Sequence, residues 1–170
     1  MNKNTVTLCR MSDNEQLQAR AKLLFREFLL THKFSQTKER YAILRAVYQL
    51  EGIFGVADLQ RQLIESNFKV SLSALYVTIG LLEQANLIIR HPFSSSQSLY
   101  ERVVGDRPCS YQICNRCHSI TRITSRELSK AVSSYRPRRF VPSHRVVYVY
   151  GVCPQCEKAS RKARQLILDL

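Results

Sequence analysis

Four cysteines stand in two identical spacings, Cys114-Asn-Arg-Cys117 and Cys153-Pro-Gln-Cys156. A C-x-x-C turn points both sulfurs at one place, and two such turns close a tetrahedron of thiolates around one Zn2+. A site filled by four thiolates keeps no open coordination position, so its metal is structural. A lone C-x-x-C also suits a redox dithiol, which needs one exposed, acidic cysteine beside a helix N-terminus. Two matched pairs without a separate catalytic His/Asp set favour one zinc ion per chain and no enzyme. Cys9 and Cys109 belong to neither pair.

The 35 residues between the pairs, 118–152, exceed a zinc-ribbon gap, so that stretch must hold secondary structure of its own. The first pair opens a strand-turn-strand pattern, with strands expected at 111–114 and 119–124. A short helix is expected at 126–135 and a strand at 145–150, where Val147 and Val149 alternate with Tyr148 and Tyr150. A last helix begins at Glu157, basic at first and apolar at Leu166, Ile167, Leu168 and Leu170. That apolar end and the strand before it are the natural surfaces for a second copy of the chain.

Upstream the pattern changes to helices. Helical spacing places Leu17, Ala21, Leu24, Phe25, Phe28 and Leu29 in a helix over 17–30. Thr37 precedes a second helix with Ile43, Leu44, Val47 and Leu50, broken by Gly52 and Gly55. A third runs over 56–64, with Leu59 and Leu63 inward. Ser71 is placed to cap a fourth, whose inward stripe reads Leu72, Leu75, Ile79 and Leu82 and which Asn86 can end. Strands at 87–91 and 99–103 follow, joined by a Ser-rich loop. Helices followed by a β-hairpin make the outline of a winged helix, the fourth helix being the one that enters the major groove and the hairpin its wing. The predicted class is therefore α+β: a flexible segment at 1–16, a winged helix-turn-helix domain at 17–104, a linker at 105–109 and a small zinc-stapled α/β domain at 110–170.

Charge agrees with a nucleic-acid partner. The net charge is +13, unevenly spread: 12 Lys/Arg against 9 Asp/Glu in residues 1–101, and 14 against 4 in residues 102–170. The run Arg136-Pro137-Arg138-Arg139 reads first as a solvated loop. No apolar run approaches the ~20 residues of a membrane span. The polar first eleven residues lack the apolar core of a signal peptide, so reduced thiols in a cytoplasmic protein are expected.

On these residues the chain resembles the ferric uptake regulator family of bacterial metal-responsive repressors, over about residues 17–160. Thr37-Lys38-Glu39-Arg40 is similar to the opening of that family's second helix. Ser73-Ala74-Leu75-Tyr76, with Leu81 to Leu87 after it, resembles its recognition helix, Tyr100-Glu101 the end of its wing, and Tyr150 to Cys156 its second cysteine turn. The resemblance implies a dimer on a near-palindromic duplex, Cys114, Cys117, Cys153 and Cys156 as structural zinc ligands, and Tyr76 as a DNA contact. On the helical wheel Ser73, Val77, Gly80 and Gln84 face outward, with Tyr76 on the flank. Val77 is suited to a thymine methyl, and Gln84 or Ser73 to base edges. Lys22, Lys38, Arg40, Arg90 and His91 are candidates for phosphate contacts.

The departures from the family pattern concern its sensing site. The segment before the first C-x-x-C, Gly105 to Ile113, contains no histidine. Arg122 stands where the family has a glutamate, and Arg145 where it has a histidine, with His144 one residue early. Of the wing-side ligands Glu101 alone matches. Permanent cations repel a divalent metal, so regulatory iron or manganese is not expected. Glu101, Cys109, Arg122, His144 and Arg145 form an altered sensing set. Its alternatives are a thiol oxidant at Cys109, an anion near the two arginines, or haem at Cys153-Pro154. More distant readings are a thiol-disulfide protein and a zinc-stapled adaptor.

Overall fold

Three of the four helices of the N-terminal half open on a side chain that satisfies an end group. In a computed structural model, which describes residues 13–92, 97–104 and 108–160, α1 covers Asp13–Thr31, α2 Lys38–Gln49, α3 Val56–Glu65 and α4 Leu72–Gln84. Thr37 Oγ1 accepts from Arg40 N at 3.3 Å to open α2, Asp58 Oδ2 accepts from Gly55 N at 2.9 Å to open α3, and Ser71 Oγ accepts from Ala74 N at 3.2 Å to open α4. Three helices close alike: Lys33, Asn67 and Asn86 adopt left-handed φ of 56°, 54° and 54°. The next amide then reaches back, as Leu87 N does to Leu82 O at 2.9 Å. Replacing Ser71 with alanine leaves that amide without its cap and should cost about 1 kcal/mol, read in a urea titration.

The helices pack on one apolar cluster. Ala21, Phe25 and Leu29 of α1 meet Ile43, Leu44, Val47 and Tyr48 of α2, Leu59 and Leu63 of α3, and Leu75, Ile79 and Leu82 of α4. Burial pushes the Tyr48 phenol up to about 12. Its hydroxyl donates to Leu87 O at 3.3 Å and Val103 O at 3.4 Å, which ties α2 to both ends of the hairpin. The Arg102 guanidinium donates to Tyr48 O and to Asn14 Oδ1.

The hairpin is part of a three-stranded antiparallel sheet in the order β1-β3-β2, with β1 at Ile53–Gly55, β2 at Ile88–His91 and β3 at Leu99–Arg102. Phe54 pairs with Tyr100, and both face the helical core. Where Gly52 and Gly55 are expected only to break the second helix, the chain forms β1 and pairs with β3. Leu72 is a second correction: expected inward, it is 53% exposed, and the inward face of α4 is Leu75, Thr78, Ile79, Leu81 and Leu82.

The chain divides into two compact units, Met1–Val104 and Gly105–Leu170. The second holds β4 (Cys109–Cys114), β5 (Ile120–Arg122), α5 (Arg126–Ser134) and β6 (Val146–Gly151) in a sheet ordered β5-β4-β6. β4 and β5 are antiparallel, whereas β4 and β6 are parallel. Parallel neighbours need a long crossover, usually helical; α5 supplies it and accounts for the wide gap between the cysteine pairs. Residues 154–160 are again helical. The expected apolar end at Leu166 to Leu170 lies outside the described residues, as do Cys9 and the linker residues 105–107.

This second unit has a thin interior. Ser110, Tyr111, Ile113 and Cys114 are its buried residues among those described, while Tyr135, Phe140, Val141, Val149, Tyr150 and Val152 are exposed. None of the α5 residues is buried. A unit of this size with so little core needs a further source of stability.

Candidate metal centre and nucleic-acid interface

Parallel pairing delivers the cysteines. Cys114 stands opposite Gly151 at the ends of β4 and β6, so the turns that leave the two strands lie side by side. Asn115 N donates to Gly151 O at 2.8 Å and locks one turn to the other. His118, at φ 57°, turns the chain back into β5.

The sulfurs of Cys114, Cys117, Cys153 and Cys156 all lie within 4.8 Å of one another. Cys117 and Cys153 are 3.7 Å apart, close to the edge of a tetrahedron with metal–sulfur bonds of about 2.3 Å and far beyond a disulfide bond. Cys153 N donates to Cys114 Sγ at 3.3 Å and Arg116 N at 3.5 Å. Amide donors of this kind favour the thiolate. Those from Cys117, Cys153 and Arg116 hold the Cys114 thiol down at about 5. Ser119, whose hydroxyl is 3.2 Å from the sulfur, lowers Cys117. Cys156 is pushed up to about 12 by sharing its proton with Cys153 and Cys117. One cluster thus combines sulfurs prepared as anions with a sulfur that resists ionisation beside them. A divalent cation at the centre removes that conflict, and the all-sulfur donor set fits Zn2+ in a closed structural site. Among the described residues no other three His, Cys, Asp or Glu side chains come close enough to hold a metal.

The expected DNA contacts fall on several elements. On α4, Ser73, Tyr76, Val77 and Gln84 are exposed, Tyr76 and Val77 more than half so. Lys38 is exposed at the start of α2, Lys22 on α1 and Arg90 on β2. Lys22 Nζ lies 5.9 Å from the Tyr41 ring centre. Arg40 is half-buried, donates to Ser35 O and Oγ, and lies over Phe34. His91 is corrected: expected as a phosphate contact, its side chain is fully buried, with Nε2 3.4 Å from Glu101 Oε2.

The residues of the altered sensing set are carried by separate elements. Glu101 belongs to the first unit and is buried on β3. In the second unit, Cys109 opens β4 and its amide donates to Arg145 O at 3.0 Å. Arg122 pairs with Tyr111 from β5, on the far side of β4 from β6. His144 is exposed, with Nδ1 3.1 Å from Ser143 Oγ. The contribution of Ser119 to the cysteine cluster and the exposure of Leu72 were missed in the sequence, and neither carries a local signal.

The ferric uptake regulator family model matches residues 32–150. The ferric uptake regulation protein of Neisseria meningitidis is 26% identical over 108 residues, 62% of this chain and 73% of that protein. Its namesake from Legionella pneumophila is 23% identical over 149 residues, 86% of this chain and 100% of that protein. Two solved structures share the fold. The Pseudomonas aeruginosa ferric uptake regulator with manganese has a TM-score of 0.59 at 20% identity, over 76% of this chain and 97% of that one. The Helicobacter pylori ferric uptake regulator has a TM-score of 0.61 at 18% identity, over 86% and 99%. Both fit an α+β winged helix with a dimerisation domain.

Proposed function

The chain belongs to the ferric uptake regulator family, and from that premise we propose that it is a homodimeric, sequence-specific repressor of transcription that carries one structural zinc ion and lacks the usual regulatory metal site. The observation that carries this reading is α4. It is capped at Ser71, closed at Asn86 and seated on its own core by Leu75, Ile79 and Leu82. It thereby holds Ser73, Tyr76, Val77 and Gln84 outward next to a three-stranded wing sheet, which is the geometry of a major-groove reader.

Lys22, Lys38, Arg40 and Arg90 supply phosphate contacts, and each phosphate neutralised releases counterions. The exposed apolar side chains of β6, Val149 and Tyr150, are the surface for the second copy, which places two α4 helices on a near-palindromic site. Arg122 and Arg145 carry permanent charge at the positions where a divalent cation would need imidazole or carboxylate. The signal is then something other than iron or manganese. Cys109, whose amide bonds to the Arg145 backbone, is the second reading's candidate for a thiol or anion sensor. No helix among the described residues is long and apolar enough to cross a membrane, and we place the protein in the cytoplasm.

Two measurements test this. Fluorescence anisotropy against a duplex enriched from a random pool should show affinity falling steeply and linearly in log[salt]. Binding without sequence preference and with a flat salt response sinks the regulator in favour of an adaptor. Metal analysis after mild chelation should find about one zinc per chain, and a second, exchangeable iron or manganese ion overturns the loss of the sensing site.

A further inference from the structure

Gly80 has no reason in the fold. It lies inside α4, its backbone is helical, and a Cβ placed on it would meet nothing within 4 Å. Glycine in a helix interior is less stable than alanine, so neither packing nor conformation accounts for it. At 100° per residue, Gly80 and Ser73 fall at the middle of the arc opposite Leu75, Leu82 and Thr78. Leu72 and Tyr76 flank that arc on one side and Val77 on the other, 53%, 57% and 54% exposed.

The helix bears no lysine or arginine, and Glu83 is its single charge. Arginine and lysine are the side chains that bind guanine O6 and N7, whereas thymine is recognised by apolar contact with its 5-methyl group. A face that is flat at Gly80 and Ser73, edged by Leu72, Tyr76 and Val77 and free of cations, with Gln84 and Glu83 as its polar groups at the C-terminal end, is matched to methyl groups and lacks the cationic side chains that bind guanine. Resting on the DNA-binding reading above, we infer that Gly80 is the point of closest approach between α4 and the major groove, and that Val77 beside it and Leu72, about two turns earlier on the helix, read thymine methyls.

The test uses the full chain and its enriched duplex. Replacing single thymines with deoxyuridine removes only the methyl group. At the contacted positions this should weaken binding roughly fourfold each, the worth of one buried methyl. Leu72→Ala should make the duplex insensitive to deoxyuridine at the position that Leu72 covers. Gly80→Ala should raise the melting temperature by about 2–4 °C while weakening DNA binding roughly tenfold or more, a split that a purely structural glycine cannot produce. A duplex indifferent to every deoxyuridine, or a Gly80→Ala protein that binds as tightly as the native chain, overturns the inference and leaves the regulator standing. A pool in which no sequence is enriched sinks both.

Discussion

Cys153→Ser is expected to empty the zinc site and unfold the second unit. Four-thiolate zinc sites contribute on the order of 10–16 kcal/mol to the folding of small domains. Here that term is set against an interior of little more than Tyr111, Ile113 and Cys114. Cys153 is a direct choice because its sulfur, one of the four in the cluster, lies 3.7 Å from Cys117 Sγ of the other turn, so its loss removes a ligand from one turn and the sulfur that faces the other. Zinc content should fall from about one ion per chain to near zero. Amide exchange in β4 and β6 should become fast, and any dimer built on β6 should dissociate. The core around Phe25, Ile43 and Leu82 should keep its helical signal. Cys109→Ser, at the opposite end of β4 from Cys114, is the control and should keep its zinc. A Cys153→Ser protein with native zinc and native exchange rates refutes the staple.

Acid should act in the same direction. The Cys114 thiol is held at about 5, far below the ordinary thiol range, by the amides aimed at its sulfur. A depressed group contributes stability that is present above its ordinary value and is lost as pH falls through the folded one. Protons also compete with the metal for all four sulfurs. Zinc release, followed with a chromogenic chelator, should therefore set in as pH falls toward 5. Release that is flat from pH 8 to about pH 4 counts against thiolate ligation.

The metal centre was legible in the sequence because its chemistry is local: a C-x-x-C turn sets two sulfurs by itself, and four cysteines state their own donor type. The ends of α4 were legible for the same reason, since Ser71 and Asn86 act within a few residues. What escaped depends on distant partners. β1 is three residues long, follows Gly52 and ends on Gly55, and it exists only because Phe54 can pair with Tyr100 forty-six positions later. Leu72 fits the periodicity of the inward stripe, but periodicity does not say where the neighbouring elements stop. Correspondence along the chain does not say which strand carries a residue: Arg122 is on β5, on one side of β4, and Arg145 precedes β6 on the other. The burial of His91 is decided by the register of β2 on β3.

That register carries the second large effect. Ile89 stands opposite Glu101 and His91 opposite Leu99, so His91 and Glu101 are diagonal neighbours on one face of the sheet. Their side chains are 0% and 4% exposed, with nitrogen and oxygen 3.4 Å apart. Removing one member of this buried pair leaves the other polar group without it in the interior, which costs about 1–3 kcal/mol, whereas replacing both with apolar side chains of similar size can be nearly neutral. His91→Leu and Glu101→Leu should each lower the stability of the first unit by that amount in urea unfolding, and the double variant should recover most of it. Strict additivity in this cycle means that the two side chains do not act on each other. The pair also bears on sensing. A carboxylate turned inward onto His91 is not presented to an ion, so manganese should leave the native chain's affinity for its duplex unchanged. The stabilised His91→Leu/Glu101→Leu protein should bind that duplex as the native chain does, because α4 and its flanking cations are untouched. A manganese response in the native chain that disappears in the double variant assigns Glu101 to a metal after all.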